Sequence, residues 1–179
     1  MAEFDAPGCF SSSDEYLSSG IAVYNKIPYS WYDSKQFYRG NEIKASLVAM
    51  KYQNFLIDGS KSDLLISFVY ILPNANDIIY ENVALYYKDL IKGTDLKFVV
   101  MGDFNRNPEK LRKCFNAKLG LTNKEQKISE STHNQTGIID LIYTNIDTAV
   151  CGVLDSLTKT DHRPIFVSIP RNCPTDVHG

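Results

Sequence analysis

Long apolar runs are missing from this sequence of 179 residues. No stretch approaches the roughly 18–20 consecutive apolar residues that a transmembrane helix needs. The first residues, Met1 to Asp5, carry acid and lack the basic-then-apolar order of a secretory signal. Internal repeats and low-complexity tracts are also missing. Hydrophobic residues make up 44% of the chain, which suffices for a packed core, so we expect a soluble intracellular protein.

Cysteine is scarce, and its spacing excludes the common metal and redox motifs. None of the four cysteines belongs to a C-x-x-C pair or lies near a histidine at zinc-site spacing. They are Cys9, Cys114, Cys151 and Cys173. The sequence does not decide whether Cys9 and Cys114 pair, but in a reducing compartment we expect free thiols.

An excess of positive charge is missing as well. The chain has 19 basic and 21 acidic residues and a net charge of −2. This weakens a nucleic-acid-binding hypothesis without excluding it, because Lys and Arg supply most of the affinity for phosphates. A local basic rim can coexist with an acidic total. Lys110, Arg112 and Lys113 form such a cluster, and Lys124 and Lys127 extend it.

Short apolar segments bounded by turn residues recur along the chain. They predict strands at residues 20–24, 45–52, 64–72, 96–101, 138–143, 149–154 and 165–169. Helices are predicted at residues 78–92, capped by Asp77, and at 108–119, with a proline near the first turn. Strands outnumber helices, and several are joined too briefly for parallel crossovers. The pattern predicts a layered α/β protein with mixed, largely antiparallel sheets.

Polar residues follow directly on the buried-type strand at 96–101, in the order Gly102-Asp103-Phe104-Asn105. If the chain stays extended, Asp103 and Asn105 share a face while Phe104 points into the core. A carboxylate beside a carboxamide could orient a water molecule and steady a phosphoryl oxygen. A turn is the alternative interpretation, because Asp and Asn are common turn residues.

A second polar element, Thr160-Asp161-His162-Arg163-Pro164, lies just before the last strand. The aspartate could hold a divalent cation while the histidine donates a hydrogen bond to a phosphate oxygen. In the third element, Asp140 interrupts an apolar strand and is costly to bury without a partner. His162 is the candidate partner, since a carboxylate would fix its tautomer and favour the cation. The alternative places Asp140 on the solvent face of an edge strand.

These three elements, in this order, resemble the endonuclease/exonuclease/phosphatase superfamily. The phrase from Thr132-His133 to Ile138-Ile139-Asp140-Leu141-Ile142-Tyr143-Thr144-Asn145 is closer still to the endonuclease domains of mobile elements, non-LTR retrotransposons and Helitron-type transposons among them. The segments at 19–24 and 68–74 also resemble that family's strands, so the resemblance covers roughly residues 17–170. It implies a four-layer α/β sandwich over residues 1–170 with a C-terminal tail at 171–179. Relative to the family pattern, the first strand and helix are lacking.

The resemblance also implies a role for individual residues. Asp103 would orient or deprotonate the attacking water, and Asn105 would contact the scissile phosphate. His162 would stabilise the transition state, oriented by Asp140, and Tyr70 would lie near the phosphate. Two further expectations concern ligands and substrate. Asp161 and Glu3 would bind Mg²⁺ or Mn²⁺, which prefer hard oxygen ligands, and Asn74 and Thr132 would contact substrate.

Three functions stay open at this point. The first is a Mg²⁺-dependent DNA endonuclease of mobile-element origin, located in the nucleus and belonging to a transposon-encoded polyprotein. The second is a phosphatase acting on a small phosphoester, which the acidic net charge favours. The third is an inactive relic that serves as a binding module. For Trp31 we favour packing over base stacking, and we interpret His133 as a loop residue without a site role.

Overall fold

The main sheet has five strands, in the order β3-β4-β5-β6-β7. The structure is a computed structural model that describes residues 9–10, 21–22, 29–57, 59–92, 96–122, 125–135, 137–156 and 159–170. The strands are β3 (Trp31–Arg39), β4 (Glu42–Ile57), β5 (Ser60–Ile71), β6 (Lys97–Asp103) and β7 (Asp140–Thr144). Short strands β1 (Cys9–Phe10) and β2 (Ile21–Ala22) pair with each other, as do β8 (Val150–Val153) and β9 (Ile165–Ser168). Neighbouring strands are antiparallel except β5 and β6, so the predicted mixed, largely antiparallel architecture is confirmed.

Helix α1 (Asp77–Ile91) connects the two parallel strands β5 and β6. The predicted cap at Asp77 is wrong by one residue, because the carboxamide of Asn76 accepts the hydrogen bond from the backbone N–H of Ile79. Asp77 instead lies in the first turn, where a negative charge complements the helix dipole. The apolar face of α1 packs on the sheet through Ile79 and Val83.

The predicted helix at 108–119 is present but contains a π turn. It runs through α2 (Pro108–Leu111), the π turn (Arg112–Asn116) and α3 (Ala117–Leu119). The wider turn allows three consecutive residues, Cys114, Phe115 and Asn116, to be buried. Gly120 ends the helix in the left-handed conformation, with φ +80°.

The two faces of the main sheet are covered differently. The helices pack on one face, with a core that includes Leu47, Val69 and Val100. The pair β8–β9 packs on the other face, around Met50, Val99 and other buried side chains. The described residues thus form three layers of the predicted four, helix, sheet and sheet. Among the described helices, none is long and apolar enough to cross a membrane.

Strand β3 is absent from the prediction. All of its side chains are exposed or half-buried, since it lies at the edge of the sheet and, among the described strands, pairs only with β4. Trp31 lies on this strand and is 37% exposed, in line with edge packing. Within the described part of the chain, Cys114 and Cys151 are free thiols.

Candidate active site

Three of the predicted site residues lie in one row across the main sheet. Tyr70 on β5 is the register partner of Asp103 on β6, and Asp103 is the partner of Asp140 on β7. Register partners project from the same face, so these side chains are neighbours. The row lies at the end of β5 and β6 and at the beginning of β7. Asp140 therefore begins its strand, whereas the sequence placed it within one.

Asp103 and Asn105 are held together by a tight turn, so the predicted extended arrangement is wrong. Asn105 has φ +48°, a left-handed conformation that Asn tolerates better than most residues. Its backbone N–H donates to Asp103 Oδ1 over 2.8 Å, and its Nδ2 donates to Asp103 Oδ2 over 3.0 Å. The residues from Asp103 to Asn105 therefore form a turn, and the same turn brings the side chains of Asp103 and Asn105 together.

The carboxamide of Asn105 is fully committed on its nitrogen side. Besides Asp103, Nδ2 donates to the carbonyl oxygen of Ile71 over 2.9 Å. A flipped amide would face two acceptors with its oxygen, so the orientation is fixed. With both N–H groups in use, this geometry does not favour the predicted contact between Asn105 and the scissile phosphate. It favours a residue that orients the Asp103 carboxylate.

Phe104 and Gly102 anchor this turn to the sheet. Phe104 is fully buried and packs edge-on against Phe115 and Tyr143, as the alternation predicted. Gly102 does not release the chain from the sheet, because β6 continues through Asp103. Its φ is +144°, and a Cβ there would lie 1.9 Å from the carbonyl oxygen of Val69. Glycine is thus required for β5 and β6 to approach.

The predicted contact between His162 and Asp140 is confirmed. His162 Nδ1 lies 3.0 Å from Asp140 Oδ2 and 3.2 Å from Oδ1, so the proton on Nδ1 is donated to the carboxylate. The other nitrogen, Nε2, lies 4.0 Å from Asp103 Oδ2. Burial alone would lower the pKa of His162, but the hydrogen bond and charge of Asp140, together with the charge of Asp103, raise it.

The carboxyl group of Asp103 is harder to ionise than an ordinary aspartate. Burial raises its pKa to about 6, and the negative charge of Asp140 acts in the same direction. The hydrogen bond from Asn105 opposes the shift only in part. A carboxyl group with a pKa near neutrality can both accept and release a proton at physiological pH.

Thr132 is a buried structural residue. It has no exposed surface, and its Oγ1 accepts hydrogen bonds from the backbone N–H groups of Ile139 (3.1 Å) and Asp140 (2.9 Å). A substrate contact predicted for Thr132 is therefore disfavoured, because the hydroxyl group cannot be reached from solvent. Its place in the motif reflects the start of β7, where it fixes the backbone of Asp140.

His133 reaches the site, although the sequence interpretation left it out. Its ring is 90% shielded, and Nε2 lies 3.1 Å from Asp161 Oδ2. The ring also packs edge-on against His162, with 4.8 Å between the centroids. Asp161 itself is 61% exposed. The signal that could have found His133 is its position next to Thr132 in the family-like phrase.

Among the described residues, two groups of side chains have the chemistry to hold a metal ion. One is Asp103, Asp140 and His162, and the other is His133, Asp161 and His162, with the ligand atoms of each group within 4.8 Å of one another. The carboxylates of Asp103 and Asp161 are hard oxygen donors that suit Mg²⁺ or Mn²⁺. Each group thus contains a carboxylate oxygen that fits such an ion. Glu3, the other predicted ligand, lies outside the described residues.

A groove opens from this site towards the second helix. Its lining residues are Pro73, Asp77, Asn105, Arg106, Asn107, Glu109, Lys110, Lys113 and Ile139. Arg106 is held in place by Asp77, by the carbonyl oxygen of Ala75 and by the ring of Tyr80. Lys110 and Lys113 are exposed, one helical turn apart.

Asn74, the other predicted substrate contact, lies in the exposed turn after β5. Its carboxamide oxygen accepts a hydrogen bond of 3.4 Å from Lys44. Its neighbour Pro73, rather than Asn74 itself, lines the groove. The structure therefore does not support the predicted substrate contact of Asn74.

Comparison with known proteins gives matches of structure only. No protein-family model and no curated protein matches the chain. An endonuclease/exonuclease/phosphatase family protein from Leptotrichia buccalis matches with a TM-score of 0.56 and 17% identity, over 80% of this chain and 61% of the other. CdtB, the biologically active subunit of cytolethal distending toxin, matches with 0.54 and 14%, over 80% and 58%. The human Nocturnin catalytic domain matches with 0.50 and 13%, over 79% and 60%.

The chain thus spans about three fifths of the length of these solved structures. At such low identity the matches report on the fold. The matched fold is the one that the motifs indicated by resemblance. The chain therefore has the fold of endonuclease/exonuclease/phosphatase family proteins.

Proposed function

We propose that this chain is a metal-dependent phosphodiesterase, and more specifically a DNA endonuclease of mobile-element origin. The observation that carries the proposal is the gap of 4.0 Å between His162 Nε2 and Asp103 Oδ2. On one side of it lies a carboxyl group with a pKa of about 6. On the other lies an imidazole whose second nitrogen is bound by Asp140. This pairs a proton acceptor with a proton donor.

The residues divide the hydrolysis between them. Asp103 accepts the proton of the water that attacks the phosphorus atom, and Asn105 keeps the carboxylate in place. His162 donates from Nε2 to a phosphoryl oxygen, where negative charge grows in the transition state. Tyr70, next to Asp103 in the sheet, presents a hydroxyl group to the same region. The leaving oxygen takes a proton from solvent and Asp103 returns its proton to solvent, so the products are a phosphate monoester and a free hydroxyl.

Asp161 would hold the divalent cation, with Glu3 as a further predicted ligand. When bound, Mg²⁺ or Mn²⁺ supplies Lewis acidity that neutralises the charge of the phosphate. Asp140 has a separate task, because its carboxylate is occupied by His162.

A polyanionic substrate is supported by the groove. Lys110 and Lys113 line the same groove as Asn105, where the phosphates next to the scissile one would run. DNA is also the substrate that the mobile-element-like phrase at residues 132–145 suggests. A nuclear location, and association with the rest of a transposon-encoded polyprotein, follow from this proposal.

A small phosphoester is the second candidate. The net charge of −2, and the carboxylates of Asp77 and Glu109 among the groove residues, favour a substrate with less charge than DNA. Such a substrate would engage the Asp103 and His162 region without needing Lys110 or Lys113.

Nicking of supercoiled plasmid in Mg²⁺ tests the proposal. The unmodified protein should nick, and Asp103→Ala and His162→Ala should each lower the rate by about a hundredfold or more. Asp89→Ala, an exposed change on α1, should not. Turnover of a small phosphoester without nicking would overturn the DNA substrate. Inactivity on every substrate, with no metal binding, would instead favour a binding module.

A further inference from the structure

The ring of His133 bridges the loop at 131–135 and the aspartate of the Asp161-His162 pair. On one side, the backbone N–H of Gln135 donates to His133 Nδ1 over 3.0 Å. On the other, His133 Nε2 lies 3.1 Å from Asp161 Oδ2. Both ring nitrogens therefore have a partner, and the partners differ in kind, since one is a donor and the other an acceptor.

These two partners fix the position of the ring proton. Nδ1 accepts from the Gln135 amide, so it carries no proton, and the proton of the neutral imidazole is on Nε2. That proton points at the Asp161 carboxylate. Nε2 consequently has no lone pair to give to a metal ion, although His133 belongs to a group of side chains close enough to share one. The ring acts on Asp161 and not on the metal.

Asp161 needs such a partner because its carboxylate is 61% exposed. An exposed aspartate samples several rotamers. The conformational entropy that it loses when it binds an ion lowers the affinity for that ion. The backbone of Asp161 is already fixed, because its carbonyl oxygen accepts a hydrogen bond from the N–H of Asn134 over 3.0 Å. His133 supplies the restraint on the side chain.

We propose that His133 is a positioning residue that holds the Asp161 carboxylate in the orientation that binds the divalent cation. The inference rests on the proposed function, and it adds a residue to the site. The ring also packs edge-on against His162, and the two histidines are joined by a backbone bridge. His133 thereby sets the spacing between the cation ligand and the group that faces the phosphate. Partners of metal ligands are typically worth about 10- to 100-fold in metal affinity.

Two substitutions separate the two hydrogen bonds of the ring. His133→Gln places an N–H group where Nε2 was, so it keeps the bond to Asp161 and loses the one from Gln135. His133→Asn places an acceptor near Nδ1, so it keeps the bond from Gln135 and cannot reach Asp161. Ser131→Ala is the matched control, since it removes only a hydrogen bond of 3.0 Å to the His133 carbonyl oxygen in the same loop.

The first measurement is Mn²⁺ binding, followed by the paramagnetic signal of the free ion. His133→Asn should weaken binding by about tenfold, whereas His133→Gln and Ser131→Ala should stay within about threefold of the unmodified protein. The second measurement is nicking against Mg²⁺ concentration. His133→Asn should raise the half-saturating concentration by a similar factor and leave kcat at saturating Mg²⁺ nearly unchanged. Thermal unfolding confirms that each variant is folded.

The possible results separate a failure of the role of His133 from a failure of the proposed nuclease function. Equal Mn²⁺ affinities in all three variants, with nicking intact, would overturn the role of His133 alone. So would equal weakening by Gln and Asn, which would indicate a packing role for the ring. If the unmodified protein neither binds Mn²⁺ nor nicks DNA, the proposed function fails and the inference fails with it.

Discussion

Replacing Asp103 by Asn should make the protein more stable at pH 8 while it removes activity. The Asp103 side chain is only 16% exposed, and it lies beside Asp140. Burial and that neighbour raise its pKa from 3.8 to about 6. Because the folded pKa lies above the unfolded one, protonated Asp103 contributes stability below pH 4, and this contribution is lost as the pH rises through 6.

The magnitude follows from the size of the shift. Two pKa units correspond to about 3 kcal/mol, which is the free energy that the ionised Asp103 removes from folding at about pH 8. Asn removes the charge but also one acceptor for the hydrogen bonds from Asn105, which costs about 1 kcal/mol. The net gain in the free energy of unfolding should be about 2 kcal/mol at about pH 8, and less than about 1 kcal/mol at about pH 5.

Urea or thermal unfolding in a chelator measures this difference. A gain of about 2 kcal/mol corresponds to roughly 4–8 °C in Tm for a chain of this size. Addition of Mg²⁺ should narrow the gap, because the cation neutralises the charge that Asn removes. Asp89→Asn, at an exposed position on α1, serves as the control and should change little. The reasoning is refuted if Asp103→Asn fails to stabilise at pH 8, or if its effect is the same at pH 5.

Three further predictions test the groove, the sheet and the histidine. Joint replacement of Lys110 and Lys113 by Gln should raise KM for DNA, leave turnover of a small phosphodiester unchanged, and reduce the slope of affinity against salt by about 1–2. Gly102→Ala should destabilise the fold by more than about 3 kcal/mol in urea unfolding, because its Cβ meets backbone at 1.9 Å and the residue must also keep a positive φ. Asp140→Asn should lower the pKa of His162, so the alkaline limb of the pH–rate profile should move to lower pH.

The predictions for the lysine pair and for Gly102 each have a control within the chain. Lys118 on α3 is paired with Glu81 on α1 and does not line the groove, so Lys118→Gln should leave the slope of affinity against salt unchanged. Gly120→Ala, where a Cβ meets nothing within 4 Å, should cost only about 1 kcal/mol. An unchanged salt slope for the lysine pair would contradict the role of the groove. Similar losses of unfolding free energy for the two glycine variants would contradict the close approach at Gly102. An alkaline limb that does not move would contradict the effect of Asp140 on His162.

Much of the sheet could be predicted because its strands are marked locally. The apolar runs of β4, β5 and β6 are bounded by turn residues, and the segment 102–105 follows the last of them. The partnership of Asp140 and His162 was also predictable, because a carboxylate among apolar residues needs a partner. Strand β3 was not predictable in this way. None of its side chains is fully buried, and it is a strand because the long β4 offers it a partner.

The turn at Asn105 shows a second limit of prediction from local pattern. Alternation placed Asp103 and Asn105 on one face, and the two side chains do meet. They meet through a left-handed residue, however, and the carboxamide is bonded to Ile71 on a neighbouring strand. Which atoms of Asn105 are left for a substrate depends on that strand, so no pattern within residues 102–105 could have assigned its role.

The segment at 131–135 explains why the site could be recognised from motifs far apart in the sequence. Thr132 Oγ1 holds the backbone of Asp140, and Thr132 O accepts a hydrogen bond of 2.8 Å from the N–H of Arg163. The same residue therefore fixes the beginning of β7 and the segment that carries His162. His133, next to it, adds the restraint on Asp161. The spacing of Asp140, Asp161 and His162 is set by a loop that contributes no side chain to the proton transfers, so a substitution there should change the geometry of all three together.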